Sequence, residues 1–333
     1  MSLSAVDSRR APLAPGPEIS SPGPGAALPR GAGPGPGTAS RTSSLTGVVR
    51  AYVALCKPRI VELLLITAVP VLFLADRGLP PPAQAAVVVI GGAMAAGSAN
   101  ALNCYIDRDI DQVMARTRGR PLVRHAVSPR AALTFGTALG VISVALFAAA
   151  ANLLAAALTA GAIAYYVVIY TLLLKRRTPQ STLWGGICGA APVPIAWATA
   201  TGSLSWPAFL LFLVVFFWQP PHFWALAVKY RDDYASVNVP MLPVVAPLRR
   251  VLTESVAYSW LMVLASVAVW PLATGPVYGA TAAALGGWFL YEVHRLHLRA
   301  LRGGQPRTMR MFHASVIYLT LLFAALAVGS LIR

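Results

Sequence analysis

The chain has 333 residues, 57% of them hydrophobic and only 11% charged, with a mean hydropathy of +0.64. That is more apolar surface than one water-soluble core can hide, which excludes an ordinary soluble domain and points to a polytopic membrane protein. A net charge of +16 would suggest a nucleic-acid partner in a soluble protein, but here the placement of the basic residues sets topology and argues against nucleic acid.

Residues 1–48 are rich in Pro, Gly, Ser and Ala and hold no apolar core of signal-peptide length. They read as a disordered cytoplasmic leader in front of a membrane domain over 49–333. Apolar runs near the roughly 20 residues needed to cross about 30 Å of hydrocarbon follow at approximately 60–75, 83–104, 131–150, 152–174, 183–201, 206–227, 252–273, 277–293 and 312–332. None shows the alternation of a barrel strand, so the predicted class is all-α, a bundle of about nine transmembrane helices. With the N-terminus inside, basic residues collect in the inside loops, at Lys57 and Arg59 and around 108–130, 175–177, 229–250 and 295–310; beyond the leader only Arg77 and Arg333 lie elsewhere. The positive-inside rule then gives an N-inside, C-outside chain. Cys56, Cys104 and Cys188 have no metal-site or disulfide spacing and read as packing residues.

Asp107, Asp109, Asp111, Asp232 and Asp233 fall at the inside ends of the second and sixth spans. If the second span stays helical past residue 104, Asn103, Asp107 and Asp111 recur every four residues and form one stripe of oxygen donors. Asp109 then points about 200° away from Asp107, toward Arg108, Arg116 or water. The run D-R-D-I-D imitates the start of a calcium loop, but Gln112 and Arg118 stand where Gly and the bidentate Glu belong, which excludes an EF-hand. Carboxylates and an amide on one face, matched by a second acidic pair, suit Mg²⁺, which keeps waters and binds through a few carboxylates plus substrate phosphates. Arg116, Arg118, Arg120, Lys175, Arg176, Arg177, Lys229 and Arg231 supply the cations a diphosphate needs. Each of these also reads as a topology anchor.

The pattern N-x-x-x-D-x-x-x-D, with the blocks "NCYIDRDIDQVMARTRGRP", "YTLLLKRRTPQSTLWGG", "WQPPHFWALAVKYRDDY" and "VPMLPVV", resembles the intramembrane aromatic prenyltransferases over roughly residues 50–330. Within them the likeness is greatest to the branch that farnesylates heme. The resemblance implies that farnesyl diphosphate binds tail-in among the helices, its diphosphate at the inside rim and bridged through Mg²⁺ to Asp107, Asp111 and the second acidic pair. It implies transfer of the farnesyl group to a vinyl of protoheme IX with addition of water, heme being substrate and Mg²⁺ the cofactor. Asn103, Asp107, Asp111, Asp232 and Asp233 become the catalytic set, the four aspartates among them the metal ligands. Arg116, Arg120, Lys175, Arg176, His222, Lys229 and Arg231 become substrate-binding residues. Many relatives carry a second D-x-x-x-D; this chain offers only Asp232 and Asp233, and which of them meets metal stays open.

His222 is a candidate to touch heme iron, to donate to diphosphate or to satisfy a carbonyl, and Tyr105, Phe216, Phe217, Trp218 and Trp224 are candidate walls around a developing cation. The implied setting is a bacterial plasma membrane with the site facing the cytoplasm, and the implied partners are the lipid bilayer and downstream heme-modifying or oxidase-assembly proteins. Two alternatives are a prenyl transfer to a quinone-type acceptor such as a hydroxybenzoate or naphthoate, and a secondary transporter, whose charges would sit in matched broken helices and not at one rim.

Overall fold

A computed structural model describes residues 45–332. The leader expected over 1–48 therefore lies outside the described residues, apart from 45–48, which open the first helix. All regular structure among the described residues is helical. Helix α1 (Leu45–Cys56) leads through Lys57, at φ 53°, into α2 (Pro58–Ala75), and α3 (Pro82–Ile106) runs through Asp107 into α4 (Arg108–Val113). Then come α5 (Pro129–Ala150) and α6 (Leu153–Ala164), the latter continued by a π-helix over Tyr165–Leu174. Helices α7 (Ser181–Ala190) and α8 (Pro192–Thr201) make one span interrupted at Ala191, followed by α9 (Trp206–Lys229) and the short α10 (Arg231–Ala235) and α11 (Leu242–Val245). The chain ends in α12 (Leu248–Ala273), α13 (Pro276–Leu301) and α14 (Thr308–Leu331).

Proline holds the first or second position of seven of these helices, where its missing N–H costs nothing and its fixed φ is already helical. Ser128 and Asn152 cap α5 and α6, accepting from Ala131 N (3.2 Å) and Ala155 N (2.9 Å). Among the described residues eight helical segments are long and apolar enough to span a membrane, and the chain is a multi-pass membrane protein. The eighth predicted run, 277–293, is the one not among them; it lies in α13, which has spanning length and packs against α12 and α14. It falls short in apolar character because Tyr278, Gly279, Gly286, Gly287, Trp288 and Tyr291 dilute its apolar stretch and its last turns carry Glu292, His294, Arg295, His297 and Arg299.

In lipid, helices associate through close packing and hydrogen bonds, since the surrounding tails are as apolar as leucine. Helices α3 and α5 use both. Ser98 Oγ donates to Gly136 O and Ser143 Oγ to Gly91 O, each at 2.7 Å. A Cβ added at Gly140 would lie 2.7 Å from Ser98 Oγ, so the approach needs glycine there. In the other half of the bundle Trp218 Nε1 donates to Ser315 O (2.7 Å), Tyr318 OH meets Ser266 Oγ (2.8 Å) and Tyr278 OH donates to Ser266 O (3.1 Å). These contacts tie α9, α12, α13 and α14 together. The two acidic segments are joined by an apolar cluster in which Ile110 of α4 meets Ala227 of α9 and Val239 and Met241 beyond it. That contact puts the ends of α3 and α9 on one rim.

Candidate active site

The backbone ladder continues through the bend at Asp107: Asp107 N donates to Asn103 O and Asp111 N to Asp107 O, both at 2.9 Å. Asn103, Asp107 and Asp111 therefore share one face on successive turns, and Asn103 Nδ2 donates to Asp107 Oδ2 at 2.7 Å. Both carboxylates are buried, Asp107 at 0% and Asp111 at 2% exposure. A buried charge must be paired, and each is: Asp107 with Lys175 and, at 3.4 Å, with Arg176 Nη2, and Asp111 with Arg120.

Asp109 points away from the stripe with its side chain 59% exposed to solvent, as expected, but its charged partner is neither Arg108 nor Arg116. Arg176 clamps it through two bonds of 2.6 and 2.7 Å and thereby holds its carboxyl down at about 2. Arg108 instead donates to Tyr105 O (2.7 Å) and lies over that ring, while Arg116 donates to Tyr234 OH (3.2 Å) between the Tyr230 and Tyr234 rings. Local spacing fixes where Asp109 points; it does not reveal a partner 67 residues away.

That partner arrives through the π-helix. Its wide turns pair backbone groups five apart, as in Lys175 N to Tyr170 O (2.8 Å), and the Thr171 hydroxyl donates over the same spacing to Tyr166 O (2.8 Å). Such turns are rare and frequent at functional sites. Here they bring Lys175 and Arg176 onto the aspartate stripe and Thr171 Oγ1 within 3.3 Å of Asn103 Nδ2. From the opposite side Lys57 Nζ donates to Asn103 Oδ1 at 2.8 Å, and burial lowers this ammonium to about 8.

The second acidic pair reaches the same rim in a different role. Asp233 Oδ1 accepts from Ala115 N and Oδ2 from Arg116 N, each at 3.2 Å. Its carboxylate thus anchors the loop that follows the stripe. Asp232 and Arg231 are exposed, and Lys229 stands 5.4 Å from the Tyr230 ring; none of these three lines the cavity described next.

A cavity of about 890 Å³ opens between the helices, within the size of small-molecule sites. Lys57, Asn103, Asp111, Arg116, Arg120 and Lys175 crowd one end, and most of the remaining wall is apolar, including Leu63, Val88, Phe147, Ile195, Val215 and Leu319. Of the five aromatics expected as walls only Trp218 lines it; Tyr166, Tyr170, Phe223 and Tyr234 are the others besides Phe147. Gln219 lines it too, with its Nε2 donating to Gly186 O at 2.6 Å. His222 stands behind this wall, stacked between Trp218 and Phe312 with ring centroids at 4.1 and 4.4 Å. Ser315 gives its hydroxyl proton to Phe312 O (2.7 Å), so the 2.8 Å contact with His222 is a donation from Nδ1–H, and Nε2 keeps the lone pair.

Among the described residues no three His, Cys, Asp or Glu side chains sit together as a self-sufficient metal cage. Asn103, Asp107 and Asp111 are all hard oxygen donors, and an octahedral ion that fills its other positions with water and phosphate oxygens matches such a partial set. The residues present fit Mg²⁺.

A helical membrane bundle whose apolar cavity carries oxygen donors and cations at one end is built for a long apolar molecule with a polyanionic head. The chain belongs to the UbiA prenyltransferase family, whose model matches residues 64–316. The protoheme IX farnesyltransferase of Frankia alni is 57% identical over 285 residues, spanning 85% of this chain and 99% of the relative. That of Salinispora tropica is 57% identical over 290 residues, 86% of this chain and 91% of the relative. Among solved structures, a digeranylgeranylglyceryl phosphate synthase superposes with a TM-score of 0.70 at 16% identity, over 86% of this chain and 99% of that one. A UbiA homolog from Archaeoglobus fulgidus bound to DMAPP and Mg²⁺ gives 0.60 at 18% identity, over 84% and 99%. At these identities the structures attest the fold.

The residues that sequence reasoning missed are Lys57, read only as a topology anchor, and Tyr166, Tyr170 and Gln219. No local signal marked Lys57: the K-P step steers a residue toward extended backbone, not toward the left-handed conformation found here.

Proposed function

We propose that this protein transfers the farnesyl group of farnesyl diphosphate to a vinyl group of protoheme IX, with addition of water, to give a hydroxyethylfarnesyl heme. The carrying observation is the cavity that is charged at one end and largely apolar elsewhere, with Asn103, Asp111 and Lys175 at its mouth. Relatives of 57% identity named for this reaction support the choice of substrates.

Lys57, Arg116, Arg120 and Lys175 bind the diphosphate oxygens, and the apolar walls take the isoprenoid tail. Asp107 and Asp111, with Asn103, hold Mg²⁺, which when bound supplies positive charge against the charge developing on the leaving diphosphate. Asp233 holds the Arg116 loop over the mouth, leaving Asp232 as the freer of the second pair to meet metal or its waters. The allylic C–O bond breaks with its electron pair going to diphosphate. The rings of Tyr166, Tyr170 and Trp218 flank the positive charge left on the farnesyl carbon, and the dry wall keeps water from it. The vinyl terminus forms the new C–C bond to that carbon. Water then adds to the cation next to the porphyrin ring and loses a proton. Arg176 positions Asp107 while clamped by Asp109, and His222 supports Trp218 from behind.

The positive-inside pattern supports a rim that faces the cytoplasm at a bacterial plasma membrane, and on this reading downstream heme-modifying or oxidase-assembly proteins receive the product there. Mass spectrometry of hemes from cells with and without this gene tests the reading: a farnesylated, hydrated heme that appears only with the gene is expected. An unchanged heme profile together with a prenylated hydroxybenzoate would overturn it.

A further inference from the structure

At the C-terminal end of α13 a second, open groove of about 480 Å³ is lined by Tyr291, His294, Arg295, Leu298, Arg299 and Arg302, with Gly304 at its edge. None of these lines the prenyl cavity. We propose that this groove binds the phosphate head of an anionic phospholipid. Tyr291, Arg295, Leu298, Arg299 and Arg302 are spaced to lie along one helix face. Among the described residues Arg295, Arg299 and Arg302 form no ion pair, whereas Arg250 on α12 and Arg310 on α14 are taken by Glu254 (2.8 Å) and Glu292 (2.6 Å). A helix C-terminus favours cations, but three unneutralised guanidiniums within two turns repel one another and leave a concentrated demand for anionic oxygens.

The turn after α13 is built around one of them. Gly303 takes φ 77°, and Gly304 N donates to Arg299 O at 3.0 Å. A Cβ at Gly304 would lie 2.9 Å from Arg299 Cγ, so glycine there lets the Arg299 side chain lie against the turn. Beside the cations the surface is apolar and aromatic. Tyr291, Leu298, Trp288 and Trp260 are exposed, and the Trp260 and His294 rings meet at 6.0 Å. An aromatic belt adjoining arginines is the arrangement of a membrane–water boundary, and basic pockets at that level bind anionic head groups. Arginines alone would satisfy a free phosphate; continuity with exposed Tyr291 and Leu298 calls for a ligand that also carries acyl chains.

The test is native mass spectrometry of the delipidated full chain in detergent, titrated with dioleoyl phosphatidylglycerol, dioleoyl phosphatidylcholine or inorganic phosphate. The wild type retains phosphatidylglycerol in preference to phosphatidylcholine, and millimolar phosphate does not displace it. At about five-fold per basic residue, the triple variant R295Q/R299Q/R302Q binds phosphatidylglycerol on the order of 100-fold more weakly, while Arg250→Gln, already paired with Glu254, binds as wild type. Should the triple variant fail to fold by circular dichroism, the exposed single change Arg302→Gln carries the test with a loss of about five-fold. Unchanged phosphatidylglycerol binding in the folded arginine variants, equal retention of phosphatidylcholine, or full displacement by phosphate would overturn the proposal.

Discussion

Replacing Asp233 separates its two possible roles, loop anchor and metal ligand. The side chain accepts the N–H groups of Ala115 and Arg116, both at 3.2 Å in a partly exposed setting. At about 1 kcal/mol for each bond, Asp233→Ala costs the closed loop at most about 2 kcal/mol, roughly a 30-fold rise in its open population. Asp233→Asn keeps one acceptor oxygen and loses one bond, about a five-fold rise. Trypsin reads this directly, because the loop carries Arg116, Arg118 and Arg120 and cleavage follows the open population when opening is fast. The expected order of cleavage rates is Ala above Asn above wild type, with the apparent affinity for farnesyl diphosphate falling in the same order. Cleavage at the wild-type rate in Asp233→Ala, together with a raised Mg²⁺ requirement, would refute the anchor role and make Asp233 a metal ligand.

Three further outcomes are expected. Asp107→Ala and Asp111→Ala abolish diphosphate release while the protein still inserts, whereas Asp109→Ala keeps most activity, because the Asp109 side chain is 59% exposed and outside the stripe; equal loss in all three would count against the stripe. Lys57→Met preserves the apolar stem but removes the donor to Asn103, and at about 1.5–3 kcal/mol for a charged hydrogen bond it should weaken farnesyl diphosphate binding by roughly 10- to 100-fold in a calorimetric titration. Gly140→Ala drives a methyl toward Ser98 Oγ and should destabilise the α3–α5 pair by about 1–3 kcal/mol, seen as a lower unfolding midpoint in detergent; an unchanged midpoint would show that the two helices separate without cost.

The parts of this molecule that were legible in the sequence are those fixed by short periods. Twenty-residue apolar runs marked the spans, and a four-residue spacing placed Asn103, Asp107 and Asp111 on one face. Long-range pairings carry no such mark. Lys57 looked like any membrane-edge lysine until the turn at φ 53° aimed it at Asn103. The clamp of Arg176 on Asp109 depends on a π-helix, and nothing in "YYVVIYTLLL" separates that helix from an α-helix by pattern alone. His222 looked like a substrate contact because intramembrane ionisable groups usually have a purpose; the stacking on Trp218 and Phe312 instead gives it a supporting place behind the wall. The weak apolar character of α13 has two local causes, a first half diluted by Gly, Tyr and Trp and an end that runs into the basic groove.

The most direct measurement incubates the purified full chain with protoheme IX, farnesyl diphosphate and Mg²⁺ and follows both products, free diphosphate and heme mass. Diphosphate release coupled one-to-one to a heme heavier by a farnesyl group and a water is expected, with both lost in Asp111→Ala. Diphosphate release with heme left unmodified, or heme modified equally well by the Asp111→Ala protein, would contradict it.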